Sequence, residues 1–144
     1  MTTARHLAEI DLLRGRDFPD VPGPSRSGAA GPGYHLARLP VAGGDGTGRE
    51  AVPEEGEEQC RAECEALAAA LAVRWGDPQH MSLWSASVSA AAGEDVPPPW
   101  EELGHRAGDV LLWRVAGRWI AVAAAPADGY RWELLVAVTT TDPP

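Results

Sequence analysis

The chain has 144 residues, with 12 basic side chains against 21 Asp and Glu, a net charge of -9 and a pI near 4.8. A chain of this length closes a core without disulfides or metals and leaves no room for a multidomain enzyme. The negative balance opposes a phosphate backbone and an anionic bilayer, so neither nucleic acid nor a membrane is expected as a partner.

All the basic residues are Arg. Lys and Asn are absent, and Ile and Phe are scarce. The codons of these residues are AT-rich, so the usage points to a high-GC genome of the actinobacterial kind. The same bias raises the background of Gly, Pro and Ala and weakens any argument from their abundance. The first residues carry Glu9 and Asp11 within their short apolar stretch and lack a small-residue cleavage site. No signal peptide or membrane span is therefore expected, and the expected compartment is the cytoplasm.

In chain order, Leu7, Ile10 and Leu13 predict a short helix over 3–14, stopped by Gly15. Residues 19–33 have the composition of a linker. Residues 34–41 suit an edge strand, where Pro40 forfeits no needed donor. The strongest helix runs from Pro53 to Trp75, with a regular amphipathic part over 57–75. Its first residues are acidic, and Cys60, Cys64, Leu67, Leu71 and Trp75 form one stripe. Residues 80–90 alternate in the manner of a strand. Three prolines then feed one helical turn at Trp100.

The segments 109–115, 118–125 and 130–140 predict an antiparallel meander, with turns at Ala116-Gly117 and near Asp128-Gly129. Pairing about the first turn sets Trp113 opposite Ile120 and Leu111 opposite Val122. Val110, Leu112, Arg114, Trp119, Ala121 and Ala123 then share the other face. The expected fold class is α+β: a four- or five-stranded antiparallel sheet with one long amphipathic helix on a face and a short N-terminal helix. Residues 1–48 form the N-terminal arm and 49–144 the core domain.

Few residues suggest chemistry. The run Gly43-Gly44-Asp45-Gly46-Thr47 resembles the GGDGT signature of diacylglycerol, sphingosine and NAD kinases, which implies a glycine loop for nucleotide phosphates. The resemblance covers these five residues, and the alternating strand–helix units of those enzymes are missing. The four histidines, His6, His35, His80 and His105, lack metal-ligand spacing, so no metal and no cofactor is expected. Cys60 and Cys64 stand one helical turn apart, too far for an unstrained disulfide, and fit packing roles.

Tryptophan is the anomaly, with six residues against one Phe. Trp119 next to Arg114 and Arg118 has the composition of a binding hot spot on a sheet face with no assigned cover. Arg131 and Trp100 are further candidate contacts. The leading expectation is a non-enzymatic module that binds a protein partner or a second copy of itself through this face. The alternative is a small-molecule binder or minor enzyme, with a pocket between helix and sheet lined by Trp75, Trp84 and Trp132. Nucleotide binding at residues 43–47 comes third.

Overall fold

The computed structural model describes residues 2–25, 28–41, 53–127 and 131–144. Among these it contains four helices, α1 (Thr2–Gly15), α2 (Pro53–Trp75), α3 (Trp84–Ala91) and α4 (Trp100–Arg106). The strands are β1 (Gly23–Pro24), β2 (Gly28–Gly31), β3 (Tyr34–Pro40), β4 (Gln79–Ser82), β5 (Asp109–Val115), β6 (Arg118–Pro126) and β7 (Trp132–Thr139). They form one antiparallel sheet in the order β1-β2-β3-β7-β6-β5-β4. The class is α+β, as the patterning implies, with more strands and helices than expected. No helix among the described residues is long and apolar enough to cross a membrane.

The meander follows the expected register: Leu111 pairs with Val122 and Trp113 with Ile120. Its tight turn uses Ala116 and Gly117, both at positive φ, the backbone that a two-residue hairpin needs to match the twist of its strands. The second expected turn, at Asp128-Gly129, lies outside the described residues.

Helix α2 has the expected bounds, and its apolar stripe buries Cys60, Leu67 and Leu71 against one side of the sheet. It stops where Gly76 turns to positive φ. The freed Gly76 carbonyl accepts the Trp113 indole N–H at 2.9 Å. Ile10 and Leu13 of α1 enter the same cluster, completed by Leu39, Ile120, Val122, Leu134, Val136 and Val138 from the strands.

Three expectations need correction. Residues 19–33 are not all linker, because β1 and β2 extend the sheet beyond β3. Sheet pairing uses backbone groups, so the Gly-Ala-Ala-Gly of β2 pairs without an apolar pattern to announce it. Consequently β3 is not an edge strand: it pairs with β2 from Tyr34 to Ala37 and with β7 along its whole length. Its last residues, Arg38 to Pro40, pair on the β7 side only among the described residues, which spares Pro40 a ladder bond on the other.

The third correction concerns residues 83–91, which turn from β4 into α3 instead of continuing the strand. Leu83 and Ala86 are buried and Ala90 packs beside them, a three-and-four spacing that the alternating serines mask. The Ser87 N–H donates to the Leu83 carbonyl at 3.0 Å. Alanine favours the helix over the strand, and the tertiary contact decides.

Together α3 and α4 cover the second face of the sheet. Leu83, Ala86, Val96, Trp100, Leu103 and Ala107 pack there on Leu36, Val110, Leu112, Ala121, Ala123, Leu135 and Ala137. The apolar face expected to need an outside partner is thus sheltered by the chain's own helices.

Candidate functional site

The structure disperses the residues proposed for partner binding. Trp119 is half-buried at the start of β6, paired with Arg114 across the hairpin. The Arg114 guanidinium lies 5.0 Å from its ring centroid, and the indole N–H donates to Asp142 Oδ1 at 3.0 Å. Arg114 also reaches Asp142, so the three side chains satisfy one another at the surface. This indole hydrogen bond, with Arg114 in support, lowers the Asp142 pKa. Arg118 does not join them, because alternation sends it to the opposite face. There it stacks 4.6 Å from the Phe18 centroid and donates to the Arg14 carbonyl at 2.9 Å. Arg131 is exposed ahead of β7. Trp100 is wholly buried, and its indole N–H is bonded to the Thr141 carbonyl at 3.0 Å, so it anchors α4 to the sheet and is not a contact for a partner.

The three tryptophans of the pocket reading do not converge either. Trp75 stands edge-on to Trp113 at 6.2 Å under the α2 side, while Trp84 projects from α3 beyond the opposite face. A groove of about 580 Å³ does run between α2 and the sheet, and Trp132 lines it together with Cys64, His80, Arg106 and Asp109. Trp75 and Trp84 do not line it. Residues 43–47, the glycine run, lie outside the described residues.

Burial pushes the Cys60 thiol up to about 12, with Cys64 and Glu63 adding to the effect. Its Sγ donates to the Glu133 carbonyl at 3.4 Å. Burial and then Glu65 raise the Cys64 pKa as well. Neither thiol is a nucleophile at neutral pH. The folded chain holds the Cys60 proton where the unfolded chain, with its thiol near 9.0, releases it. Stability is therefore expected to fall as pH rises above 9.0 toward about 12, by at most ~1.4 kcal/mol per pH unit for one proton. Comparing urea melts of the wild type and Cys60→Ala across the start of that window checks the sign: the slope should shrink in the variant.

An arginine clamp that sequence spacing did not suggest sits at the lower end of the α4-covered face. Glu133, with 11% of its side chain exposed, accepts both Arg38 Nε at 3.0–3.1 Å and Arg106 Nη2. Arg106 also donates to the Pro126 carbonyl at 3.0 Å. A second groove, of about 410 Å³, runs past Tyr34, Arg38, Glu101, Glu102 and Arg106. Around the clamp, three carboxylates meet two guanidinium groups, so no surplus of positive charge faces a ligand.

Comparison with protein-family models, curated proteins and solved structures finds no match.

The feature that stands apart is the outer side of α3. Trp84 is 72% exposed and Val88, one turn on, is 46% exposed. Residues 78–93 contain no Asp, Glu or Arg, the longest such stretch in a chain that is 23% charged. The Trp84 N–H donates to Ser82 Oγ at 3.2 Å, which fixes the corner between β4 and α3. Helical spacing is what brings Trp84 and Val88 together, and the strand expected from the sequence would hold them apart.

Proposed function

We propose that the protein is a non-enzymatic interaction module that binds another protein surface through the outer side of α3. The exposure of Trp84, beside Val88 on an uncharged helix face, carries this reading. An indole left in water forfeits a large burial energy that a partner would restore, and Trp is the residue most enriched at the centre of binding interfaces. The sheet face expected from the sequence to be uncovered lends it no support, since α3 and α4 occupy that face. The Trp119–Arg114 pair, already joined to Asp142, becomes a secondary contact at the far end of β5.

A second reading, a small-molecule binder, is favoured by the groove between α2 and the sheet with Trp132 in its wall. Affinity capture from the native cell extract, run in parallel with wild-type and Trp84→Glu protein, separates the two. The interaction reading expects a protein retained by the wild type to be lost from the variant while the thermal melt stays within about 2 °C, as befits an exposed position. Equal retention by both proteins would remove α3 from the account and leave the groove as the better candidate.

A further inference from the structure

We infer that the occupant of this surface is a second copy of the chain, joined through β4 into one continuous antiparallel sheet. The inference rests on the α3 reading and extends it to the adjoining strand. The two edges of the sheet differ. β1 is a two-residue strand ending in Pro24, a blunted edge of the kind that resists pairing. β4, at the opposite edge, is Gln79-His80-Met81-Ser82, with neither Pro nor charge, and three of its four residues are exposed. Natural sheets guard such an edge with Lys, Pro or a covering element. None of these devices occurs in β4 itself.

The pairing of β4 with β5 fixes which backbone groups are available. The Leu83 N–H donates to the Gly108 carbonyl at 2.8 Å, continuing the register that sets Ser82 opposite Asp109. Antiparallel bonding alternates, so Met81 and Gln79 also turn their backbone groups toward β5, and His80 and Ser82 turn theirs outward. A two-fold axis at Met81 therefore brings His80 of one copy opposite Ser82 of the other, twice, each pair exchanging an N–H and a C=O in both directions. Met81 meets its own counterpart at the axis as a non-hydrogen-bonded pair, where side chains come closest. Its side chain already packs on the α3–α4 side, so the contact extends that core from one copy into the next. In the same register the first turn of α3 lies beside Pro78 of the second copy, which sets the Trp84 indole against a proline ring.

Charge selects this occupant. A chain at -9 repels its own copy over most of its surface, and a basic partner would seek that acidic surface. Residues 78–93 are where two such chains can meet without opposing carboxylates, and they contain both β4 and α3.

Sedimentation equilibrium of the full chain over a wide concentration range tests the dimer. The mass of the wild type should climb from 15.2 kDa toward twice that value. His80→Pro removes an outward N–H without touching the β5 ladder and should keep the chain monomeric, with the melt of wild type diluted to its monomer. Trp84→Glu brings a carboxylate near Asp77 of the second copy and should weaken association at least tenfold, which keeps the test alive if the proline variant fails to fold. A wild type that stays at 15.2 kDa at every concentration overturns the dimer, as does a dimer that both variants leave intact. Retention of a different protein through Trp84 by a monomeric chain would overturn the dimer and leave the interaction reading standing.

Discussion

Trp100→Ala is expected to lower stability by about 3–5 kcal/mol in urea unfolding, the range for deleting a fully buried aromatic side chain. Trp100 has no exposed surface and stands among Leu83, Val96, Leu103 and Leu135 in the cluster that holds α3 and α4 to the sheet. Alanine would open a cavity where these elements meet and leave the Thr141 carbonyl without its indole donor. Trp100→Phe retains most of the volume and forfeits chiefly the hydrogen bond, so a loss nearer 1 kcal/mol is expected for it. The larger variant should also bind a hydrophobic dye, because loosening α4 uncovers the sheet face beneath. A loss below about 1 kcal/mol for the alanine variant would show that the helical cover is not a cooperative part of the fold.

Glu133→Ala is expected to cost about 2 kcal/mol, mostly through Arg106. The Arg106 side chain is 24% exposed, and without Glu133 its guanidinium keeps only the Pro126 carbonyl among the contacts described above. Arg38 is 54% exposed, so solvent screens its part, and Arg38→Ala should change stability by less than about 1 kcal/mol. Arg106→Ala should come close to Glu133→Ala, with strong coupling in the double-mutant cycle. Replacing both charges, as Glu133→Leu with Arg106→Met, should recover much of the loss, because desolvation then disappears together with the attraction. Independent, additive losses at the two positions would show that the clamp does not act as a pair.

Much of the fold was legible because it is written in local spacing. The stripe from Cys60 to Trp75 can form only on a helix, and Gly76 with Asp77-Pro78 ends it. Ala116-Gly117 sets the β5–β6 register, which places Trp113 and Trp119 on opposite faces. In residues 83–91 the small Ser and Ala side chains satisfy both periods, and only the burial of Leu83 and Ala86 beneath the helix decides between them. The candidate site is hidden for the same reason: the sequence pattern offers Trp84 only as a pocket residue, and its place on an exposed helix side depends on that same choice. Within the partner set, Arg114 and Trp119 do meet, whereas Arg118 and Trp100 serve other contacts.

By itself the sequence determined the class, the long helix, the meander with its alternation of faces, and an acidity that opposes phosphate and anionic lipid. The tertiary structure decided that β1 and β2 lengthen the sheet, that α3 and α4 close its second face, and that Arg38, Arg106 and Glu133 converge. The division has a physical cause. Helical and strand periodicity are properties of neighbours along the chain. The sheltering of a face, the pairing of a Gly-Ala strand and a clamp between residues 95 positions apart depend on distant segments that local spacing does not encode.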